Sequence, residues 1–592
     1  MRILFLNHGF NSLSQRLYAE LTADGHQLSV EFDIRDSVAE EAVALFVPDV
    51  VIAPFLKRAI PPSIWQHCPC LVVHPGIVGD RGPSALDWAI QDGEGEWGVT
   101  VLQANGEMDA GDIWASRTFP MRAATKAGLY RREVTESALA CVREALSRVD
   151  EWRHGRWRPT PLAEAGGRGR QRPSMRQSDR RIDWENDGMT TVLARLRAAD
   201  GVPGVADALF GERCHLYDAH PGPRDAGGEP GACIARRDGA ILRATVDGSV
   251  WIGHVRRHGT APAFKLPATE AFAEHAAALP DRPAALMRAA DDYGELHYQE
   301  SADGRVGFLS FAFYNGAMGT DQCRRLEAAI RSVTERPTRV LVLTGGPEFW
   351  SNGIHLARIE AAESAADESW ANINAMDDVC AAVIGLTDRL TVAALRGNAG
   401  AGGCFLALAA DLIWAHPGVV LNPHYRNMGN LYGSEYWTYL LPRRLAAGPA
   451  RRLIDGRLPV TAGDAAEMGL IDRCFGRAGE DFDVQMRTQA ERLAADPALF
   501  EQLAAKVARR AADEAAKPLA RYREEELARM HRNFYGFDPS YHVARYHFVY
   551  KSPQSWTPRH LACHREPGWR RADGAGGGPR GPFAGVAATV AG

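Results

Sequence analysis

The sequence predicts an α/β protein with successive domains: a doubly wound α/β domain, a small β-rich domain and a second α/β domain. Its 592 residues are enough for about three to five domains. Short apolar runs alternate with helical segments near the start of the chain and again after Gly294, which is typical of parallel sheets covered by helices. Between these regions the apolar runs are short and strand-like, and they follow a single helical segment.

Breaks in composition suggest where the domains end. Residues 165–178 are rich in Gly, Arg and Ser and predict a linker, and a second break lies near Pro280. The end of the chain is rich in Gly, Ala, Pro and Arg without periodicity, which predicts disorder. The predicted domains are residues 1–165, 180–278 and 290–530, followed by a helical and aromatic extension at 531–565 and a disordered tail at 566–592.

Composition excludes several classes of partner. A net charge of −5 gives no electrostatic reason to expect nucleic acid. The first apolar run, residues 3–6, is too short for a signal segment or a membrane span, so we expect a soluble, cytoplasmic protein without a membrane partner. The ten cysteines lack the spacing of a metal site or a disulfide framework, and we expect reduced thiols and no bound metal.

The first candidate site follows a predicted strand at residues 70–74. Ligands of doubly wound sheets bind at the carboxyl ends of the strands, and His74 lies at such an end. It begins the run His-Pro-Gly-Ile-Val-Gly-Asp-Arg-Gly-Pro, and a later run ends in Asp109-Ala-Gly. These two motifs resemble those of the folate-dependent formyltransferases over about the first 270 residues. The resemblance implies a Rossmann domain followed by a small OB-like domain, which Ile182-Asp-Trp would open.

Formyl transfer passes through a tetrahedral oxyanion, which a histidine can stabilise, and a neighbouring carboxylate can set the state of that histidine and relay a proton. The resemblance gives these roles to His74 and Asp109. One feature departs from the family, because Val72 stands where the family has Asn. Either Asn7 or Gln15 replaces the missing donor, or the formyl acceptor is not the usual amine. A thiolate is a stronger nucleophile and needs less help.

The second candidate site contains glycine-rich turns. The segments Gly345–Leu356, Ala394–Asp411 and Arg457–Asp472 resemble three motifs of the crotonase (enoyl-CoA hydratase/isomerase) family, and the resemblance covers about residues 295–530. It implies an α/β spiral domain that binds coenzyme A. Glycines let backbone N–H groups approach a thioester carbonyl, and the resemblance assigns this oxyanion hole to the amides of Ile354 and Gly402.

The acids of the hydratases are missing. Phe405 and His424 stand where the family has its two glutamates, so hydration of an enoyl thioester is not expected. A polar and aromatic segment, residues 422–437, lies where the family builds its acyl pocket. We expect Tyr425 and Glu435 to act there as an acid/base pair on a small acyl group.

The two halves together resemble a family of [NiFe]-hydrogenase maturation proteins, up to about residue 565. That resemblance implies transfer of formyl from 10-formyltetrahydrofolate to coenzyme A, then decarbonylation of formyl-CoA to CoA and the CO ligand of the hydrogenase. Hydrogenase maturation proteins would then be partners. We expect a shared tunnel for the phosphopantetheine arm, with Gln15, Arg131 and Arg545 as lining candidates.

Two other interpretations stay open. The chain could be a fusion of an independent formyltransferase and a separate acyl-CoA enzyme. It could also be a non-catalytic scaffold for hydrogenase assembly whose sites have decayed, as Val72, Phe405 and His424 would suggest. The intact His74, Asp109 and glycine-rich turns argue against decay.

Overall fold

The structure is a computed structural model that describes residues 1–259, 263–289 and 291–569. Its internal contacts divide the chain into two compact units. Unit 1 consists of residues 1–180, 197–201 and 553–569, and unit 2 consists of residues 181–196 and 202–552. The predicted disordered tail lies outside the described residues from residue 570 onward. Within the described residues, no helix has the length and apolar character needed to cross a membrane.

The centre of unit 1 is one six-stranded sheet. Its strands are β1 (Arg2–Asn7), β2 (Gln27–Phe32), β3 (Val50–Phe55), β4 (Cys70–His74), β5 (Glu96–Gln103) and β6 (Ile113–Pro120). They are ordered β2-β1-β3-β4-β5-β6, with the first four parallel and the last two antiparallel. The successive residues Ile3, Leu4 and Phe5 are all fully buried, so both faces of β1 are covered. The predicted doubly wound domain is confirmed.

Helices lie between these strands and after the last of them. They are α1 (Ser12–Ala23), α2 (Asp36–Phe46), α3 (Pro62–Trp65), α4 (Ala85–Gln91), α5 (Lys126–Leu129) and α6 (Thr135–Arg153), and a π-helix at Tyr130–Val134 joins the last two. Asn11 caps the start of α1, since its side chain accepts a hydrogen bond from the Ser14 amide at 3.0 Å.

The C-terminal segment 553–569 belongs to unit 1 and packs on β2. Ser29 Oγ lies 2.6 Å from His564 Nδ1, and the other ring nitrogen lies 3.0 Å from Glu31 Oε2. All three side chains are buried. The ring of Trp569 lies 5.2 Å from that of Phe46 and is tilted against it by 33°. Because buried polar groups are costly without partners, this network fixes the end of the described chain to the sheet.

Unit 2 begins with a small antiparallel sheet. It follows α7 (Met189–Ala199) and consists of β7 (Val205–Leu209), β8 (Glu212–Pro221), β9 (Cys233–Arg237), β10 (Ala240–Thr245), β11 (Gly248–Arg257) and β12 (Leu266–Pro267). The order is β7-β8-β11-β10-β9, and β12 pairs with β11. The short helices α8 (Ala268–Ala271) and α9 (Ala273–Ala277) follow. The β-rich middle region is therefore as predicted.

Two further sheets form the rest of unit 2. Their strands are β13 (Leu296–Glu300), β14 (Val306–Phe311), β15 (Val340–Gly345), β16 (Phe349–Ser351), β17 (Leu390–Leu395), β18 (Asn398–Gly400), β19 (Leu412–Ala415), β20 (Val420–Asn422), β21 (Val460–Thr461) and β22 (Arg473–Cys474). The larger sheet is β13-β14-β15-β17-β19-β22, and the smaller is β16-β18-β20-β21. Each of β15, β17 and β19 is followed by a strand of the smaller sheet, which makes the chain a spiral as predicted.

Helices pack around these sheets. They are α10 (Thr320–Val333), α11 (Leu356–Ala361), α12 (Ala365–Gly385), α13 (Gly402–Leu408), α14 (Trp437–Leu440), α15 (Ala447–Gly456), α16 (Ala462–Glu467), α17 (Glu480–Ala495), α18 (Leu499–Ala516), α19 (Leu519–Tyr535) and α20 (Ser540–Tyr550). The largest core cluster lies among them and includes Met376, Phe405, Tyr425 and Met530. The core and the second candidate site therefore share side chains.

Candidate active sites

The first site is a histidine between two carboxylates at the end of β4. His74 is buried, its Nε2 lies 3.0 Å from Asp80 Oδ1, and its Nδ1 lies 3.5 Å from Asp109 Oδ2. The amide of Gly82 donates to the same Asp109 oxygen at 3.1 Å. The structure thus brings the expected pair, His74 and Asp109, together. Their catalytic roles stay predictions.

Asp80 is a residue that sequence reasoning missed. It is 2% exposed, and its Oδ2 has no hydrogen-bond partner among the described residues. A Cβ at Gly76 would collide with both the His74 ring and the Asp80 carboxylate, so glycine is required for their approach. The signal in the sequence was an acid six residues after His74, inside a loop with two glycines before it.

The segment predicted to be a linker covers this loop. A Cβ at Gly167 would collide with the Val78 carbonyl, and one at Gly169 would collide with the Asp80 amide. Further along, the Arg172 amide donates to the Arg81 carbonyl at 2.9 Å, and Arg172 Nε lies 3.9 Å from Asp80 Oδ2. The segment therefore does more than connect domains, because it packs on the loop that holds the histidine.

The residues proposed to replace the missing asparagine differ in whether their side-chain N–H groups already donate within the protein. Val72 is a half-buried side chain packed in an apolar cluster. Asn7 ends β1, is fully buried and accepts a hydrogen bond from Ser14 Oγ, while its Nδ2 has no acceptor among the described residues. Gln15 Nε2 donates to the Phe10 carbonyl at 2.9 Å. Asn7 therefore retains a donor for a ligand, whereas Gln15 already uses one.

The tunnel candidates lie in both units. Gln15 and Arg131 belong to unit 1, and Arg131 is part of the π-helix, a feature often found at functional sites. Arg545 belongs to unit 2 and is buried, with Nε 2.8 Å from Glu360 Oε2 and its guanidinium over the ring of Tyr541. These contacts give Arg545 a structural role, and the shared tunnel stays a prediction.

The second site lies where the three parallel strands of the smaller sheet end. Gly353 follows β16, Gly402 follows β18 and Tyr425 follows β20. Gly353 has a φ of +79°, and a Cβ there would lie 3.3 Å from the Gly402 amide nitrogen, so the two turns are close. Because Gly402 opens α13, its N–H has no acceptor within the helix and can bind a carbonyl oxygen.

A strained backbone conformation sets the direction of the Gly402 amide. Ala401 adopts φ +47° and ψ −126°, an unusual conformation for a residue with a side chain. Its own amide donates to the Asn422 carbonyl at 2.9 Å, which anchors the turn to β20. Ile354, the other expected donor, forms an isolated parallel bridge with Met318. Gly402 is thus held in place by the sheet, and the oxyanion role of both amides stays a prediction.

Glu435 lies directly beside this turn. Its carboxyl is 1% exposed, a Cβ at Gly402 would collide with its Oε1, and Tyr425 donates its O–H to the Oε2 atom at 2.6 Å. Burial, and then the nearby charge of Asp377, raise the pKa of Glu435 to about 8. The structure therefore unites Gly402, Tyr425 and Glu435, and the carboxyl is set to exchange a proton near neutral pH.

Aromatic side chains close the space around Tyr425. Its ring stacks on that of Phe405 at 5.2 Å with an angle of 12°, and Trp437 lies 6.4 Å from Phe405. Trp437 Nε1 is buried and donates to no acceptor among the described residues. Phe405 and His424, where the family has acids, are both buried. Aromatic side chains thus pack closely beside Tyr425, and Trp437 Nε1 among them is a donor that the sequence did not indicate.

Sequence reasoning also missed two carboxyl groups near Glu435. Asp377 on α12 accepts a hydrogen bond from the Glu435 amide at 2.7 Å, and Glu526 on α19 accepts one from the Tyr436 amide at 2.9 Å. They lie 58 and 91 positions from Glu435 in the chain, on helices whose sequences carry no motif. No signal in the sequence would have found them. Within the described ranges, no three His, Cys, Asp or Glu side chains gather as ligands for a metal ion.

Three family models match the chain. These are formyl transferase over residues 12–146, the formyl transferase C-terminal domain over residues 174–265, and enoyl-CoA hydratase/isomerase over residues 319–557. A methionyl-tRNA formyltransferase of Desulfotalea psychrophila is 27% identical over 208 residues, which cover 34% of this chain and 62% of that protein. The fold and the sites thus define a formyltransferase region joined to a crotonase-type region.

Two relatives match nearly the whole length. The hydrogenase maturation factor HoxX of Bradyrhizobium diazoefficiens is 55% identical over 576 residues, which cover 97% of this chain and 98% of that protein. The crystal structure of HypX from Aquifex aeolicus in complex with tetrahydrofolic acid is 47% identical, has a TM-score of 0.91, and covers 96% of this chain and 99% of its own. The chain belongs to this HoxX/HypX family of hydrogenase maturation factors.

Proposed function

We propose that this protein makes carbon monoxide for a [NiFe]-hydrogenase in two steps. In the first, the formyl group of 10-formyltetrahydrofolate passes to the thiol of coenzyme A. In the second, formyl-CoA breaks down to CO and free CoA. The tetrahydrofolic acid bound by the related HypX supports a folate as the formyl donor in unit 1. The match of unit 2 to enoyl-CoA hydratase/isomerase supports a CoA thioester as its substrate.

The first step is assigned to the histidine site of unit 1. The thiol of CoA attacks the formyl carbon, the C–N bond to the folate breaks, and the thiol proton goes to the departing nitrogen. His74 stabilises the oxyanion and carries the proton, and Asp109, 3.5 Å from its Nδ1, orients the ring. A thiol acceptor suits the site, because a thiolate needs less activation than the amines on which related transferases act.

The second step is assigned to the glutamate site of unit 2. Glu435 takes the formyl proton, the electron pair of the C–H bond stays on carbon, and the C–S bond breaks with its pair on sulfur. The same carboxyl then returns the proton to the thiolate, so CO and thiol are the only products. The observation that supports this assignment is the buried Glu435 beside the Gly402 turn, with a pKa raised by burial and Asp377 to about 8.

Close packing beside Glu435 supports a very small acyl group. The rings of Phe405 and Tyr425 stack 5.2 Å apart, and a formyl group needs little room beside them. The hydratase glutamates are absent, so the proposed chemistry of unit 2 rests on Tyr425 and Glu435 instead.

The test is to incubate the purified protein with 10-formyltetrahydrofolate and CoA and to detect CO with a haem reporter. The proposal expects CO in proportion to the folate consumed. Accumulation of formyl-CoA without CO would leave a transferase alone. No heat on calorimetric titration with CoA would favour the scaffold, and full activity of the separated halves would favour a fusion of independent enzymes.

A further inference from the structure

The backbone that carries Glu435 is strained. Glu435 has a φ of +60° and Tyr436 a φ of +58°, so two successive residues with side chains lie in the left-handed region. Such conformations persist only where the surrounding structure holds them, and they concentrate at functional sites. Gly433, also left-handed at +91°, packs against the ring of Tyr425 so closely that a Cβ would collide with it. Residues outside the turn must therefore hold it in this strained conformation.

Asp377 holds the first half of the turn. It is fully buried on α12 and accepts hydrogen bonds from Ser434 Oγ at 2.7 and 2.8 Å and from the Glu435 amide at 2.7 Å. Arg523 Nε lies 3.6 Å from its Oδ2. Backbone N–H groups bonded to a carboxylate form strong, charge-assisted hydrogen bonds, so this helix fixes the direction of the Glu435 side chain.

Glu526 holds the second half. It is fully buried on α19 and accepts hydrogen bonds from the Tyr436 amide at 2.9 Å, from the Thr438 amide at 2.8 Å and from the Thr438 hydroxyl. Two carboxyl groups from two helices therefore bind the amides of residues 435, 436 and 438. Neither carboxyl group belongs to the turn, and both are buried, so neither is an ordinary surface carboxylate.

We propose that Asp377 and Glu526 are positioning residues of the decarbonylation step, which hold the Glu435 carboxyl against the Gly402 turn. The inference rests on the proposed function, because it concerns how the same carboxyl carries the formyl proton. It adds two acids that do not touch the substrate but decide where the proton carrier points and how readily it binds a proton.

The charged and titratable groups around Glu435 support this arrangement. They are Asp377 and Cys380 from α12, Cys323 from α10, Glu526 and Arg523 from α19, and Tyr425 and Tyr436 from its own loop. Burial raises the pKa of Asp377 to about 6 and that of Glu526 to about 8, and it raises the pKa of both thiols. Asp377 therefore carries the negative charge nearest Glu435 at neutral pH.

The experiment compares Asp377→Asn with wild type, starting from formyl-CoA, by measuring kcat for CO release against pH. In wild type the rate should rise with pH, with a midpoint near 8, because the base form of Glu435 takes the proton. Without the charge of Asp377 the midpoint should fall by about one pH unit, and the rate at the high-pH plateau should fall about tenfold because the turn is less well held. A purely structural role would lower the rate without moving the midpoint.

Asp367→Asn is the matched control. Asp367 is an exposed residue near the start of the same helix and accepts a hydrogen bond from the Tyr535 hydroxyl at 2.7 Å, away from Arg523 and Glu435, so both rate and midpoint should stay as in wild type. Glu526→Gln tests the other end of the turn should Asp377→Asn fail to fold, and it should also lower the plateau rate. Thermal unfolding and near-ultraviolet circular dichroism of each variant, compared with wild type, report whether unit 2 is folded.

The outcomes distinguish a failure of the proposed function from a failure of the positioning role. If wild type releases no CO from formyl-CoA, the proposed function itself is wrong. If wild type releases CO, and folded Asp377→Asn or Glu526→Gln does so at the wild-type rate with an unmoved midpoint, the proposed function stands and the positioning role is overturned.

Discussion

Both candidate sites contain buried carboxyl groups, but the groups that these carboxyls face differ between the two units. In unit 1, Asp80 and Asp109 each face a ring nitrogen of His74, within one stretch of 36 residues. In unit 2, Glu435 faces a phenol and lies near two further carboxyls that come from distant helices. The carboxylates of unit 1 are proposed to orient a proton carrier, whereas the carboxyl of unit 2 is proposed to be the carrier itself. On this proposal, the group that a carboxyl faces decides its role, and the residue type alone does not.

The largest expected effect is that of Glu435→Gln in unit 2. Removal of the proton carrier should lower the rate of CO release from formyl-CoA by about 10²–10⁴, the usual contribution of a positioned acid/base group. Formyl transfer to CoA should continue, so formyl-CoA should accumulate in the coupled assay. Tyr425→Phe should act in the same direction, because it removes the hydroxyl 2.6 Å from the carboxyl.

The control for this change is Glu467→Gln on α16, an exposed glutamate of the same unit that should leave CO release as it is. Normal CO release by both Glu435→Gln and Tyr425→Phe would show that the carboxyl of unit 2 is not the carrier.

The corresponding change in unit 1 is His74→Asn. It should lower formyl transfer from 10-formyltetrahydrofolate to CoA by about 10²–10³, as loss of an oxyanion donor does. CO release from added formyl-CoA should be unaffected, because that step is assigned to unit 2. His154→Asn, an exposed histidine at the end of α6, is the control and should transfer formyl at the wild-type rate. Equal loss of both reactions would mean that the two units do not divide the chemistry.

Asp80→Asn should have a smaller effect in the same unit. It replaces a charged partner of His74 Nε2 at 3.0 Å with a neutral one, which we expect to lower formyl transfer by about 10–100-fold. Folate affinity should change little, so the loss should appear in kcat rather than in KM for the folate. Asp150→Asn, exposed on α6, is the control. A transfer rate equal to that of wild type would reduce Asp80 to a structural residue.

The smallest expected effect concerns stability. Burial raises the pKa of Glu435 from 4.5 to about 8, so folding favours the protonated form. Its contribution to the free energy of unfolding is complete below about pH 4.5 and is lost as pH rises through 8. Glu435→Gln should therefore gain about 1–3 kcal/mol relative to wild type between pH 5 and pH 9, measured by thermal unfolding. An unchanged difference between the two proteins across that range would contradict the raised pKa.

Much of the fold followed from local patterns. The short apolar run of β1 and the end of β4 at His74 both lie where the sequence indicated them. In unit 2, glycine at 353 and 402 indicated two turns that do approach each other. These features could be predicted because apolar runs and glycine conformation depend on a few neighbouring residues.

Contacts between distant segments could not be predicted in the same way. The segment 165–178 was expected to be a linker, yet its glycines pack against Val78 and Asp80. Likewise, residues 553–569 return to unit 1, where His564 joins Ser29 and Glu31. Each of these contacts joins residues far apart in sequence, and no local pattern specifies the partner of a buried polar side chain.

The sequence alone determined the classes of the three regions, which are α/β, β-rich and α/β in chain order. It also determined the placement of His74 at a strand end and the glycine turn before α13, because these features depend on residue type and spacing along the chain. Only the tertiary structure decided that Asp80 faces His74, and that Asp377 and Glu526 hold the strained turn at Glu435. The pKa of Glu435 was decided there too, since it depends on the water and the charges that folding removes or brings near.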